Sequence, residues 1–323
     1  MTSPAITALV CTRNRGSLVA HTVSGIMAND HPDFEVHVID QSSDDKSESA
    51  LSEWRSDTRF HYTRSATQGL ARARNIGFRR ARAGIVAMTD DDCRVPTDWL
   101  RRMAAAFATG DRIGVVFGNV VAAPHDRTKG FISAYQRKTR FVAAGIRDKP
   151  KVEGIGACMG VRRDVWVALQ GFDGMLGAGS KFKSADDTDF AIRALLSGYE
   201  ICETPEVYVV HHGFRTWSEG KVLIGGYLFG IGAMLAKHIR CHHWPVLHVV
   251  RALAHRWMFE RPVVEFGFTP PRSLRLSGFV QGFIAGAVAP IDRHTAHFVV
   301  AEEAVAQQET AVRSKTENHT LPA

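Results

Sequence analysis

The 323-residue sequence is poor in cysteine: Cys11, Cys93, Cys158, Cys202 and Cys241 lie far apart and form no CxxC pair. That excludes a disulfide framework and fits a reducing compartment. Uninterrupted apolar runs of the ~20 residues needed for a spanning helix are also missing. The runs from Val222 to Ala236 and from Phe279 to Ile291 fall short of it. Neither GxGxxG after the first apolar run nor GxxxxGK[ST] occurs, so the two commonest phosphate-cradling loops are lacking, and dinucleotide oxidoreduction and P-loop chemistry lose ground. The opening MTSPAITALVCTRNR has no basic segment before its short apolar stretch and does not read as a leader peptide. The expected location is the cytoplasm.

What is present is the composition of a folded protein, 45% apolar and 23% charged, with enough chain for an α/β core and a further region. Formal net charge is +7, and residues 213–300 hold ten Lys or Arg against four Asp or Glu, nearly the whole excess. A stretch that is basic and apolar, yet too short to cross, predicts amphipathic helices lying on an anionic membrane surface, peripheral on the inner face of the cytoplasmic membrane. Packed core helices with solvated basic faces would carry the same pattern. No nucleic-acid motif accompanies the charge, so nucleic acid is not an expected partner. The last ~20 residues are polar and read as disordered.

From residue 5 to about 122, β-rich apolar runs alternate with helical patterns, which predicts a doubly wound, mostly parallel, Rossmann-like α/β sheet. The runs are Ala5 to Cys11, Phe34 to Ile39, Phe60 to Thr63, Ile85 to Thr89 and Ile113 to Val121. Helices are expected behind a Ser17 cap, over Leu70 to Arg82 closed by Gly84, and from Thr97 with Trp99, Leu100, Met103 and Phe107 as the buried stripe. Residues 123–151 resist assignment. Gly154 to Val161 is glycine-rich, Arg162 to Leu169 reads as helix, and Gly171-Phe172-Asp173 as a turn. Ser184-Ala185-Asp186-Asp187 has the form of a capping box before a helix to Leu196 stopped by Gly198. A β-rich run from Val207 to Val210 ends in His211-His212. The expected organisation is a catalytic domain over residues 1–218, a basic amphipathic helical extension over 219–300, and a tail over 301–323. The domain divides into two halves, 1–122 and 123–218, whose expected roles, nucleotide-sugar binding and acceptor binding with catalysis, rest on the chemistry and the resemblance that their motifs carry.

Ligands of such sheets collect beyond the carboxyl ends of the strands. Those ends carry Thr12-Arg13-Asn14-Arg15, then Asp40-Gln41-Ser42-Ser43-Asp44-Asp45, then Asp90-Asp91-Asp92. A sugar bound to a nucleotide diphosphate leaves with two phosphates of negative charge, which a hard cation on one or two carboxylates stabilises. On the turn after the strand, alternate residues can face one ligand, which puts Asp90 toward ribose and Asp92 on the cation, with Asp91 turned elsewhere. Asp187 offers the carboxylate base that an inverting transfer requires. Asp186, Asp187 and Asp189 crowd three charges into four residues at a helix start, which should raise at least one pKa. One of His211 and His212 could complete the metal shell. His238, Cys241, His242 and His243 have helical spacing but lack a second Cys/His pair, so a zinc site is not expected there.

These residues together resemble the family 2 glycosyltransferases of GT-A fold. The motifs VCTRNR, VIDQSSDD, GLARARNIG, MTDDDCRVPTDWL, GACMGVRRDVWVALQGFD, GAGSKFKSADDTDF and VYVVHH run in order from Ala5 to about Thr216. The resemblance implies that Thr12, Arg13 and Asp40 border base and ribose, with Arg15 alongside, and that Arg74 lies near the nucleotide. Asp90 and Asp92 match the DXD element, Asp187 the catalytic base, Asp186 the place of a more usual glutamate, and His211 a histidine that is often a metal ligand. LIGGYLFGIGAMLAKH looks like the glycine-rich tail of bacterial members that act on lipid-linked or surface polysaccharides. The implied activity is inverting transfer from a UDP- or dTDP-sugar to a hydroxyl of a glycan or lipid-linked acceptor, with Mg²⁺ or Mn²⁺. A metal-dependent nucleotidyltransferase, attacking phosphorus and needing no base at Asp187, is the enzyme rival. A nucleotide-binding scaffold at the membrane surface is the non-catalytic one.

Overall fold

Continuous apolar runs form strands that are buried on both faces, as a sheet covered by helices on two sides requires. The structure, a computed structural model, describes residues 5–259 and 271–299. In chain order the first strands are β1 (Ile6–Thr12), β2 (Phe34–Asp40), β3 (Phe60–Arg64), β4 (Ile85–Asp90), β5 (Cys93–Arg94) and β6 (Ile113–Ala122). Then come β7 (Gly130–Ile132), β8 (Phe141–Ala143), β9 (Cys158–Arg162), β10 (Glu200–His211) and β11 (Phe214–Thr216). The helices are α1 (Leu18–Met27), α2 (Lys46–Ala50), α3 (Leu70–Arg80), α4 (Trp99–Phe107), α5 (Arg163–Ala168) and α6 (Asp186–Leu196). A helical C-terminal region follows as α7 (Trp217–Arg240), α8 (Val246–Phe259) and α9 (Arg272–Val288).

The main sheet has the order β3-β2-β1-β4-β9-β6-β10-β5, with β8 also paired to β10. Its long strands run parallel: β3 with β2, β2 with β1, β1 with β4 and β6 with β10. The sequence reading located all five N-terminal strands to within a residue or so, but missed β9. That strand lies antiparallel between β4 and β6, and Gly160, where a Cβ would meet Met103 Sδ at 2.6 Å, lets α4 pack close on it. Its glycine content disguises a central strand as a loop. One core layer holds α1 and α4 against the sheet through Val19, Val23, Ile26, Trp99, Leu100 and Met103. The opposite layer holds α3, α5 and α6 through Phe78, Val165, Phe172 and Phe190.

Several expected helix ends are made differently. Ser17 precedes α1 without a side-chain cap bond, and α4 begins at Trp99 rather than Thr97. Helix α3 stops at Arg80 because Ala81 turns to an extended ψ of 133°, so Gly84 does not close it. At α6 the capping box does not form. Ala185 takes a left-handed φ of 71°, and Ser184 Oγ instead donates to the Gly226 and Tyr227 carbonyls of α7, 3.3 and 3.0 Å away. Gly198 does follow α6 in the left-handed region, φ 84°, where a side chain would be strained.

The expected shortness of the C-terminal helices also needs correction. Helix α7 has 24 residues and is long and apolar enough to cross a membrane by length and composition, with half of its apolar window buried inside the protein. Polar residues at its ends extend the helix beyond its apolar run, and a reading of apolar runs alone undercounts it. Its capping box is complete, with Thr216 Oγ1 accepting from Glu219 N and the Glu219 carboxylate accepting from Thr216 N. Helices α7 and α9 pack at glycine contacts: a Cβ on Gly282 would meet Phe229 O at 1.9 Å, and one on Gly286 would meet Ala233 O at 2.5 Å. The other side of α9 leaves Leu276, Val280, Ile284 and Val288 exposed at four-residue spacing.

A buried charge network locks α7 to the catalytic core. Lys237 Nζ lies 2.6 Å from Asp173 Oδ2 and 2.7 Å from Asp189 Oδ1, with all three side chains fully buried. Arg193 Nε adds a 2.9 Å bond to Asp189 Oδ2. His238 Nε2 sits 3.0 Å from Asp189 Oδ1, and its Nδ1 sits 2.9 Å from His243 Nδ1. His238 therefore donates to the carboxylate through Nε2 and accepts from His243, which is why this histidine cluster is structural. The expected tail over 301–323 lies outside the described residues.

Candidate active site

Parallel pairing carries the functional side chains to one edge of the sheet. Thr12 is in register with Asp40, and Cys11 with Asp90, so the ends of β1, β2 and β4 are neighbours. The turn after β4 leads into β5, which pairs antiparallel with β10 and sets His211 opposite Cys93. That pairing brings His211 onto Asp92. The acidic run, the most conspicuous polar motif in the sequence, thus meets a histidine about 120 residues further on.

The three aspartates divide their work. Asp91 is buried, accepts a 2.7 Å bond from Thr12 Oγ1, and lies 3.4 Å from Arg15 Nε. Burial pushes its carboxyl up to about 6, against the pull of Thr12 and Arg15. It ties the turn after β4 to the end of β1. Asp90 is a third exposed and faces Arg74 Nη2 at 4.0 Å. Burial raises its pKa, Arg74 lowers it, and Asp92 raises it further. Asp92 has Arg15 Nη2 3.4 Å from Oδ2 and His211 Nε2 3.1 Å from Oδ1.

The Asp92–His211 contact is unusual for two polar groups. His211 Nδ1 lies 2.7 Å from the Ser133 carbonyl, an acceptor, so Nδ1 carries a hydrogen and the neutral ring turns the Nε2 lone pair toward Asp92. Asp92 Oδ1 is itself buried without a hydrogen-bond partner. Two lone pairs at this distance repel unless a proton or a cation lies between them. Burial lowers the His211 pKa, but the nearby Asp92 carboxylate outweighs it and raises it. The space is kept open by Gly213, where a Cβ would meet His211 Nε2 at 2.5 Å and Asp92 Oδ2 at 2.7 Å. Asp92, Cys93 and His211 offer donor atoms within 4.8 Å of one another, and burial raises the Cys93 thiol well above its ordinary value. The Asp92 carboxylate and the His211 imidazole are donors that suit a divalent cation.

A second group of charges gathers at the start of α6. Arg74, buried on α3, donates to Asp186 Oδ2 at 2.7 Å and to the Gly156 carbonyl at 3.2 Å. Burial pushes Asp186 up to about 6, with Arg74 opposing and Asp187 adding to the rise, as the crowding of carboxylates predicts. Asp189, by contrast, is drawn into the network with Lys237. Asp187 is half-buried; its Oδ2 accepts from Gly156 N at 2.8 Å and its Oδ1 from Thr188 N at 2.6 Å. Both bonds fix the carboxylate in direction.

The remaining candidates lie at the ends of β1 and β2. Asp40 is fully buried, with Oδ1 accepting from Ser42 N and Oδ2 from Tyr62 Oη, both at 2.7 Å. Arg13 is exposed at the edge, and Arg15 borders an open depression with Asn14, Asp44, Asp45 and Lys46. His212 stands outside the Asp92 contact, its pKa lowered by burial and by Arg94. The sequence reading did not find Gly156, Gly213 or Tyr227. Tyr227, on α7 and 39% exposed, brings its phenol near the Asp90 and Asp187 carboxylates. Gly156 and Tyr227 lie inside quoted motifs that did not single them out: Gly156 and Gly213 act through backbone and space, and Tyr227 arrives from a separate helix.

Residues 7–167 match the family model described as "Glycosyl transferase family 2". The chain belongs to that family. An uncharacterized protein of Mycobacterium tuberculosis is 32% identical over 136 residues, 40% of this family 2 chain and 48% of its own length. An uncharacterized glycosyltransferase of a Nostoc species is 25% identical over 125 residues, 38% of this chain and 39% of its own. The chain thus matches about half the length, or less, of these curated relatives. Among solved structures, a mannosyltransferase from Pyrobaculum calidifontis in complex with GDP-Man and Mn²⁺ is similar over 97% of this chain and 81% of its own, with a TM-score of 0.59 at 20% identity. S. aureus TarS 1–349 in complex with UDP-GlcNAc is similar over 86% of this chain and 81% of its own, with a TM-score of 0.59 at 15% identity. These likenesses establish the GT-A fold of the family 2 chain.

Proposed function

We propose that the protein transfers a sugar from a nucleotide diphosphate to a hydroxyl acceptor with inversion, using a divalent cation held by Asp92 and His211 and a base at Asp187. The observation that carries this reading is the Asp92–His211 pair, whose facing lone pairs call for a positive charge at a strand end next to Arg15. Bound there, Mg²⁺ or Mn²⁺ supplies charge to stabilise the departing diphosphate. The mannosyltransferase neighbour, which holds Mn²⁺ and GDP-Man, supports that assignment.

The chain's own residues account for the rest. Asp40, Thr12 and Arg13 border base and ribose, and Asp90 faces the ribose hydroxyls. Arg74 holds Asp186 and so fixes the start of α6 beside Asp90. Asp187, aimed by Gly156 N–H, takes the acceptor hydroxyl's proton as that oxygen attacks the anomeric carbon. The bond from that carbon to the diphosphate oxygen breaks on the opposite side, and the nucleotide diphosphate leaves. UDP- and dTDP-sugars were the carriers expected from sequence, and GDP-mannose joins them on the strength of the neighbour.

The two halves over 1–122 and 123–218 then serve donor and acceptor, with 219–300 as the basic helical region. The exposed stripe on α9, beside Arg272 and Arg275, suits the surface of an anionic membrane at the inner face, where a lipid-linked or polysaccharide acceptor would be met. A screen of nucleotide sugars with Mn²⁺ or Mg²⁺, read as released nucleotide diphosphate, tests the reading. Release that survives EDTA and Asp92→Ala would remove the metal role; phosphoryl chemistry that survives Asp187→Asn would favour nucleotidyl transfer.

A further inference from the structure

A second group of donor atoms lies away from the catalytic edge. Glu35 and His37 sit two residues apart on β2, so their side chains share one face of the sheet, and His37 is in register with His61 on β3. Both imidazoles turn toward one carboxylate oxygen: His37 Nε2 is 3.5 Å and His61 Nε2 3.8 Å from Glu35 Oε2. The two rings lie 4.7 Å apart. His37 is 5% exposed, yet neither of its ring nitrogens has a hydrogen-bond partner, and His61 Nε2 has none either. Buried polar atoms are ordinarily satisfied, and two orphaned Nε2 atoms facing one carboxylate, on a histidine pair that leaves His37 Nδ1 unpartnered as well, call for an explanation.

We propose that Glu35, His37 and His61 form a zinc-class metal site that clamps edge strand β3 to β2. Ligands at about 2.0–2.1 Å from a tetrahedral Zn²⁺ lie roughly 3.3 Å from each other, close to the separations found here. Two imidazoles and one carboxylate are the donor set such an ion takes, with the fourth position left to water through the half-exposed His61. The carboxylate is already oriented. Glu35 Oε1 accepts from Thr7 Oγ1 and Arg82 N, each at 2.7 Å, the kind of outer support that aims metal-binding carboxylates. Arg82 Nε lies 2.7 Å from Oε2, the ligand atom, and the ion would replace that bond; the Arg82 side chain is half-exposed, so its guanidinium has solvent to turn to. Five residues of strand separate Glu35 from Asp40, about 16 Å, so this site is distinct from the one at Asp92. Its effect on the nucleotide side runs through β3, whose Tyr62 holds Asp40.

The test uses the full-length protein with the catalytic pair removed, Asp92→Asn with His211→Gln. After gel filtration from Zn²⁺, that variant should retain one zinc per chain, and Co²⁺ in its place should give the strong visible absorption of a four-coordinate site. Adding His37→Gln should abolish both, and His61→Gln, at a half-exposed position, should weaken Zn²⁺ binding more than tenfold while the far-ultraviolet circular dichroism stays unchanged. Zinc should raise the melting temperature of the Asp92→Asn/His211→Gln protein and leave that of the His61→Gln form unmoved. No retained zinc in the Asp92→Asn/His211→Gln protein, or undiminished binding after His37→Gln and His61→Gln, would overturn the proposal.

Discussion

His211 Nε2 lies 3.1 Å from Asp92 Oδ1, while its Nδ1 is committed to the Ser133 carbonyl at 2.7 Å. One ring nitrogen is fixed as a donor, and the other faces the carboxylate, where it holds a proton as imidazolium or, when neutral, offers its lone pair to a cation. The pair is therefore a place for positive charge, assembled because β5 and β10 pair at the end of the acidic turn.

Removing that place should separate metal uptake from folding. Asp92→Asn keeps the shape and loses the charge, so titration calorimetry with Mn²⁺ should show binding at this site weakened by at least tenfold, and donor turnover should fall about 10²-fold or more. Asp91→Asn should act on stability first, because Asp91 holds Thr12 and Arg15 instead of facing the ligand.

The network behind α6 predicts an acid-sensitive fold. Burial holds the His238 pKa down from 6.5 to about 4, outweighing the pull of Asp189. As pH falls from 6.5 toward 4 the unfolded chain takes up a proton that the folded chain refuses, so stability drops through that window. Asp189 acts in the same direction. Burial alone would raise its carboxyl, but Lys237, Arg193 and His238 hold it well below the ordinary value, and its contribution is lost at lower pH still. Melting temperatures should decline steadily from pH 7 to pH 4, and His238→Gln should flatten the upper part of that slope.

Lys237→Met tests whether the C-terminal helices belong to the catalytic body. It strands Asp173 and Asp189 as buried charges without their shared partner, which should cost about 3–5 kcal/mol in chemical denaturation. Because Asp189 lies two residues from Asp187 on α6, transfer should weaken in the fraction that remains folded.

The exposed stripe of α9 has its own consequence. Leu276→Glu with Ile284→Glu should abolish sedimentation with anionic vesicles at low salt and leave nucleotide release in solution unchanged, since both side chains point away from α7. Equal sedimentation of the variant would remove α9 from any membrane role.

Much of this was legible in the chain. Four of the five strands announced themselves because each is buried on both faces, while edge strand β3 showed only a short β-rich run, and the polar ends named Asp40, Asp90 and Asp92 directly. Strand β9 was hidden because glycines there serve close packing. The Ser184 box failed because its hydroxyl finds carbonyls on α7, a tertiary partner that local pattern cannot show. The length of α7 was misjudged because Lys237 and His238 look like a polar helix end and are instead its most buried anchor. The aim of Asp187 rests on the backbone N–H of Gly156, which has no side-chain signature.

The central claim is that Asp187 removes a proton during sugar transfer. The decisive measurement compares transfer to a hydroxyl acceptor by wild type and Asp187→Asn, at saturating Mn²⁺ and with the donor found by the nucleotide-sugar screen, while donor affinity is measured on the same samples. With Asp187 as base, transfer should fall by about 10²–10⁴-fold in Asp187→Asn while donor affinity stays within a few-fold of wild type. Transfer within a few-fold of wild type would contradict that role.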